Sequence, residues 1–278
     1  MNEHTKAVSG QQEILIQYML QDQDYLALNQ YLEQIGLAND ASAKAYVSLA
    51  QAILAVDLKT VAQLAPRLNY DYLLQGSDLE QATYAYFLYL SVQLKRHEYM
   101  DYLRGLTPIL VNVFRLLIEH DFMPNLADYM EPIHKESDHG DNLYRGIQWS
   151  RSKVMAKPNR IQSTWHHYYG DSFDYEQYVS SSHLLKLIES YSKHPDLVAK
   201  AQQMRQVEKL VRNMVAHEVV YVNPEWIEAR CHLSPMQIHE LLLELMTLAG
   251  LDKKPHLQVL SQLNHDILTA LKLIKQEN

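Results

Sequence analysis

A mainly helical bundle follows from three features of this sequence. Apolar residues recur at helical spacing in roughly ten segments separated by short polar joints. Only 8 Gly and 9 Pro interrupt 278 residues. The stretch from Met204 to Val219 sorts by angle into an apolar side and a polar arc, as an amphipathic helix does. With 47% hydrophobic residues, the chain is long enough to bury a full core.

Met1 to Gln12 is polar and leads straight into helical periodicity. Leu15, Tyr18, Met19, Tyr25, Leu26, Leu28 and Tyr31 predict one short helical hairpin. After the joint from Gly36 to Ser42, Tyr46, Leu49, Ile53 and Leu54 predict another, with no strict repeat between them. Gly76-Ser77-Asp78 is the clearest break in the first half and carries a helix start signal before Leu79. The expected organisation is therefore a helical N-terminal region, residues 1–76, and a helical bundle, residues 77–278. The bundle opens with a long pair, Ala82 to Lys95 and Tyr99 to His120.

A polar stretch from Phe122 to Asp141 follows, with Pro124, Pro132 and the cluster His134, Glu136, Asp138, His139 and Asp141. Carboxylates and imidazoles this close suit zinc or manganese. The cluster lacks the fixed helical spacing of His-Glu-x-x-His, so a solvated loop is the expectation, with no metal and no cofactor.

Net charge is −8, unlike a protein that coats nucleic acid through bulk electrostatics, so any nucleic-acid binding has to rest on local charge. Asn142 to Gly170 supplies it. The window, an insertion near residues 142–170, has no acidic residue and holds Arg145, Arg151, Lys153, Lys157 and Arg160 beside Trp149, Trp165, Tyr168 and Tyr169. Cations that track phosphates and rings that stack on unpaired bases are the physics of single-stranded RNA binding. A solvated insertion with core-anchoring aromatics fits the same residues. Arg151, Lys153 and Lys157 are the candidate RNA contacts.

The single cysteine, Cys231, excludes an internal disulfide and fits a reducing compartment. Glu3, His4 and Lys6 leave no apolar signal region, and no uncharged run approaches a membrane span, so a soluble, cytoplasmic protein is expected.

The late helix carries the most chemistry. His194-Pro195-Asp196 predicts its start, with Pro at the first helical position and an acid at the positive dipole end, and Asn223-Pro224 its stop. At about 100° per residue, Met204, Val207, Leu210, Val211, Met214, Val215 and Val219 cover one side. Arg205, Lys209, Arg212, Asn213 and His217 gather on an opposite arc of roughly 140°. Glu208 and Glu218 fall on the apolar side and blur it. Asn213 and His217, four residues apart, are neighbours on the helix, with Arg212 beside them. Cleavage of RNA by its own 2′-hydroxyl needs a group that titrates near neutrality and a fixed positive charge at the phosphate, which His and Arg supply.

Spacing alone does not select this pair, because ten arginines with three allowed distances each give about 1.5 chance matches to a histidine. Arg115 to His120 repeats the spacing, but Leu116, Leu117 and Ile118 make that segment a core helix. Arg160 precedes His166 and His167 by six and seven residues in a stretch of weak periodicity, with no rigid element expected to hold them together.

Arg, a polar residue, three more residues and His, late in an all-helical bundle, resembles the HEPN ribonuclease motif. Asn213 fills the polar slot, where the rivals carry Leu116 and Ile161. The order of elements is also similar to the C-terminal portion of the ancillary ribonucleases of type III CRISPR systems, the Csm group. Gln11 to Ile35, the long pair, and Val215-Ala216-His217-Glu218 carry that likeness.

The resemblance implies an all-α HEPN endoribonuclease that cleaves single-stranded RNA without a metal. Arg212, Asn213 and His217 would be catalytic, with Arg205 and Lys209 as RNA contacts on the same face. It also implies a homodimer whose two Arg and His pairs form one composite site. Relatives carry an N-terminal sensor domain for cyclic oligoadenylate. No residue here inherits that role, so any activator nucleotide is expected to be sensed by a domain absent from this sequence. Two alternatives stay open: a HEPN toxin of a toxin–antitoxin pair, and a non-catalytic helical module that binds RNA or protein.

Overall fold

A computed structural model describes residues 8–37, 41–136, 142–212 and 220–274. The described residues are mainly helical, with a single two-stranded antiparallel ribbon among them. The all-α expectation holds. The chain forms two compact units, Met1–Glu98 with Asp252–Asn278, and Tyr99–Leu251. The joint at residues 76 and 77 lies inside the first unit.

In the first unit, α1 (Gly10–Gln21) and α2 (Tyr25–Gln34) form the first hairpin, and α3 (Ala41–Leu54) and α4 (Leu58–Leu64) the second. Two 3₁₀ turns, Ala65–Leu68 and Asp71–Leu74, lead to α5 (Asp78–Lys95). The sequence encodes these starts locally. Ser9 and Gln12 form a capping box on α1, Asp24 and Asp57 cap α2 and α4, and Ser77 and Glu80 form a capping box on α5. Gly76 precedes the last of these at φ +88°, a conformation in which other side chains are strained.

The unit closes with helices from the far end of the sequence, α13 (Lys254–Leu257) and α14 (Val259–Ala270). Val259, Leu263 and Ile267 of α14 join Val47, Leu49 and Ile53 of α3 in one apolar core. Three polar contacts fix that register. The Tyr25 hydroxyl donates to Asn264 Oδ1 (2.7 Å), Asn264 Nδ2 donates to the Leu20 carbonyl (3.0 Å), and the Tyr70 hydroxyl donates to Asp266 Oδ2 (2.6 Å).

The second unit is built on α6 (Tyr99–Asp121), whose buried face includes Leu103, Leu106, Leu110, Val113, Phe114 and Leu117. Helices α9 (Ser181–Tyr191) and α12 (Pro235–Leu248) pack with it, α10 (Pro195–Val207) packs on both of these, and α11 (Pro224–Cys231) leads from the segment after α10 to α12.

Between α6 and α9 stands an antiparallel ribbon, β1 (Met130–Glu136) and β2 (Asn142–Trp149), then α7 (Arg151–Met155) and α8 (Arg160–Tyr169). Residues 130–136 were expected in a loop and form a strand instead. Their alternation is broken by Pro132 and by a bulge between Ile133 and His134. The ribbon is held at its base rather than by its own pattern. Trp149 is fully buried, and the Val179 amide donates to the Ile147 carbonyl (2.9 Å).

Candidate functional site

Helix α10 starts where the sequence predicts, with Pro195 at its first position and Asp196 in its first turn. Its α winding ends at Val207, and Glu208–Arg212 continues as a π-helical segment. This corrects the single continuous α-helix. Hydrogen bonds from i to i+5 wind the backbone more slowly, so an angular map drawn at a constant step stops applying at Glu208. Asn223 caps α11 through the Trp226 amide (2.8 Å), so Asn-Pro opens a new helix there.

Glu208 explains the blurred apolar side. It is 5% exposed, yet its carboxylate is fully engaged. Thr107 on α6 donates to Oε1 (2.6 Å), Ser181 on α9 donates to Oε2 (2.7 Å), and Arg205 Nη1 lies 3.6 Å from Oε2. A buried carboxylate is tolerated only with such partners, and this one ties α6, α9 and α10 together at the first residue of the π segment. Arg205 therefore faces Glu208 rather than standing free. Lys209 is exposed, and Val211 is buried. Arg212 ends the π segment. Its side chain, together with Asn213 and His217, lies outside the described residues.

The rivals are accounted for. Arg115 sits on α6 with a buried Nε, and burial holds its guanidinium below the usual arginine range. Arg160 does stand on a rigid element with His166 and His167, contrary to expectation, because Asn159 caps α8 through the Gln162 amide (2.9 Å). Its guanidinium turns away from them, donates to the Phe122 carbonyl and covers the rings of Phe122 and Tyr191. His166 instead approaches Asp171, Nδ1 to Oδ1 3.8 Å.

The basic and aromatic window divides into a cationic rim and a buried aromatic base. Arg151, Lys153 and Lys157 are all exposed. Trp149 and Trp165, 0% and 2% exposed, are core rings and cannot stack on a base from solvent by themselves. Trp149 packs edge-on to Trp165, and Trp165 stacks on Phe173 at 4.6 Å and 12°. Trp149 Nε1 can only donate, so the Nδ1 of buried His183, 3.3 Å away, is its acceptor. Burial, with a smaller effect of Lys186, pulls His183 down to about 4, which keeps this ring neutral. Exposed Tyr168 and half-buried Tyr169 both lie under the Lys186 ammonium.

Arg151, Gln162, Trp165, His166, Phe173 and Tyr175 border a cleft of about 480 Å³ between α7, α8 and the loop after α8. Phe173 and Tyr175 were missed because the charge-defined window ends at Gly170, before Asp171. Their aromatic character just beyond Gly170 was the available signal.

Among the described residues, no grouping of three or more His, Cys, Asp or Glu is placed to hold a metal ion. Asp138, His139 and Asp141 lie outside them. No helix among the described residues is long and apolar enough to cross a membrane.

The family model of the Cas_Csm6 HEPN domain matches residues 72–268. Among solved structures, Enterococcus italicus Csm6 bound to cyclic hexa-2′-fluoro-hexa-dAMP is similar in fold, with a TM-score of 0.62 and 14% sequence identity. The match covers 93% of this chain and 56% of that one, so the chain spans little more than half the length of that relative. No curated protein sequence matches.

Proposed function

The chain belongs to the family of the Cas_Csm6 HEPN domain, a CRISPR-associated family, and on that premise we propose that it is an endoribonuclease of type III CRISPR defence. The carrying observation is that the family match encloses Arg212-Asn213-Met214-Val215-Ala216-His217, the one Arg and His pairing in the chain with a polar residue after the Arg.

The substrate is single-stranded RNA. The 2′-oxygen attacks the adjacent phosphorus, the bond to the 5′-oxygen breaks, and a cyclic 2′,3′-phosphate and a free 5′-hydroxyl result. His217 moves a proton at the attacking or the leaving oxygen, Arg212 stabilises the charge that builds on the phosphorane, and Asn213 positions the pair. The buried Thr107, Ser181 and Glu208 contacts support this assignment, since they fix the backbone immediately before the motif. Arg205 and Lys209 lead RNA toward it, with Arg205 spending part of its charge on Glu208. Two copies of the chain pair their motifs into one site. A cyclic oligonucleotide, the class of ligand bound to the Enterococcus italicus protein, is the proposed kind of activator.

The chemistry needs no metal, because imidazole and guanidinium supply the proton transfer and the charge. Wild-type chain and His217→Ala are to be incubated with labelled single-stranded RNA in chelator. Cleavage by the wild type, slowed roughly 10²- to 10⁴-fold in the variant, is expected. An RNA bound but left intact by both would favour a binding module. Undiminished cleavage by His217→Ala would remove the site assignment, and activity lost in chelator and restored by a divalent ion would remove the metal-free mechanism.

A further inference from the structure

The cleft beside α8 lies outside the Arg212 and His217 motif, and its chemistry points to a ligand. Its volume of about 480 Å³ falls within the roughly 300–1,000 Å³ typical of sites for small organic molecules. One wall is aromatic: the stacked Trp165 and Phe173 pair, with Tyr175 edge-on to Phe173 at 4.8 Å and 84°. A second wall is formed by Gln162 and Ser163 of α8, where the Ser163 hydroxyl donates to the Asn159 carbonyl (3.0 Å) and keeps its oxygen as an acceptor. Met155, 53% exposed, accepts from Gln162 Nε2 and from the Tyr175 hydroxyl (3.7 Å each), which spans the cleft with a soft, polarisable sulfur.

Charge around the cleft is unequal. Arg151 lines it, and Lys153 and Lys157 stand exposed on the same short segment. Among the described residues that line it, the one carboxylate, Asp171, faces His166 at 3.8 Å. Trp165 adds an unsatisfied polar group beside the cleft. Its ring is 2% exposed, it lines the cleft, and its Nε1 has no hydrogen-bond partner. Buried indole N–H groups ordinarily find an acceptor, and this one has none within the protein.

We propose that this cleft is a subsite for one nucleotide of a single-stranded RNA, its base held by the Phe173 and Tyr175 rings, with Trp165 backing Phe173, and read by Gln162 and Ser163, its phosphate held by Arg151. Rings and amides for an unpaired base, with a guanidinium for the adjoining phosphate, are the combination by which single strands are recognised. Lys153 and Lys157 continue the backbone track. The inference deepens the proposed function by giving the substrate a second point of attachment, and it rests on that reading only for the identity of the strand.

The test separates the two. In the His217→Ala chain, which binds without cutting, the affinity for a fluorescein-labelled single-stranded RNA is measured by anisotropy across a salt series. The same measurement is made after adding Arg151→Gln or Ser163→Trp, the latter filling the cleft from an exposed helix position. Ser163→Trp is expected to weaken binding about tenfold, the scale of one stacked base. Arg151→Gln is expected to weaken it severalfold and to lower the slope of log affinity against log salt by about one. Melting curves establish that each variant is folded. Were Ser163→Trp to unfold, the salt slope of surface-exposed Arg151→Gln decides.

Affinities and slopes equal to those of the parent would overturn the subsite. AMP serves as the probe for the other source of the same chemistry. AMP that quenches tryptophan fluorescence and is displaced by the RNA supports the proposal. AMP that binds without competition from RNA assigns the cleft to a free nucleotide and ends it. Cleft-dependent binding without turnover by the wild type would leave the subsite standing and the nuclease reading fallen. Turnover with KM unmoved by Ser163→Trp would do the reverse.

Discussion

The two compact units treat buried polarity in opposite ways. The first confines it to neutral donors at the margin of an apolar core, where Tyr25 and Tyr70 reach Asn264 and Asp266 across more than 190 residues of sequence. Among the described residues its one deeply buried imidazole is His256, which is stacked on Tyr84 and held below the ordinary histidine range chiefly by burial. The second draws a carboxylate, Glu208, into its interior and holds two histidines, His183 and His239, at about 4 by burial. Burying groups that want charge costs stability, and such groups gather where position matters more than stability. The Glu208 network lies in the same unit as the motif and four residues from Arg212. Under the proposed function the chemistry falls in the second unit.

The sharpest division between the units is catalytic. Under the proposed function, His217→Ala lowers the cleavage rate roughly 10²- to 10⁴-fold while the melting temperature stays close to that of the wild type. A change of comparable size from a conservative substitution in the first unit, such as Tyr25→Phe, would erase the distinction.

Next in size is Glu208. Glu208→Ala leaves the Thr107 and Ser181 hydroxyls without their acceptor and the partly exposed Arg205 without its counter-charge, which costs about 1–3 kcal/mol. Glu208→Gln keeps one acceptor oxygen and costs less. Chemical denaturation measures both. A loss below about 1 kcal/mol for Glu208→Ala would mean that the network is not holding the α6, α9 and α10 junction.

Helix starts were the most readable part of the fold, because a cap is a local interaction: Ser77 with Glu80, and Pro195 with Asp196, can be read within four residues. Asn159 and Gln162 carried the same signal for α8 and were passed over for lack of apolar periodicity. The ribbon and the π segment were not readable for a different reason. Nothing near Pro132 alternates, and β1 and β2 are placed by Trp149 burial and the pairing of Val179 with Ile147. Glu208 could be counted on the apolar side of its helix, but Thr107 and Ser181, which satisfy it there, are 101 and 27 residues away. In the window, residue type correctly identified cations and rings. Burial alone decided that Trp149 and Trp165 form the base and that Arg151, Lys153 and Lys157 form the rim.

Acid should act on the second unit through His183. His183 has an ordinary value of 6.5 and sits at about 4 when folded, so the unfolded chain binds the proton first. Its contribution is fully present above about pH 6.5, declines as pH falls through the window, and is lost by about pH 4. At pH 5 the loss is about 2 kcal/mol for this one residue. His183→Gln keeps an acceptor for Trp149 Nε1 and cannot titrate. It should flatten the pH dependence of stability between pH 7 and pH 5 by about that amount. An unchanged slope would assign the acid sensitivity to other groups.

The smallest expected effect tests the first unit on its own terms. Tyr70→Phe removes a hydroxyl that donates to Asp266 at 2.6 Å and leaves the ring, which packs edge-on to Tyr46, in place. A hydrogen bond between partly buried groups contributes about 0.5–1.5 kcal/mol, somewhat more where the acceptor is ionised. Burial and the facing Asp266 carboxylate both raise the Tyr70 hydroxyl above the ordinary tyrosine range, so it remains a donor throughout the working pH range. The expected loss is therefore about 1 kcal/mol and independent of pH from 6 to 9, in contrast to His183. Measured by denaturation at several pH values, a Tyr70→Phe loss that grew with acid would show that the first unit also stores titratable strain, and the division between the units would fail.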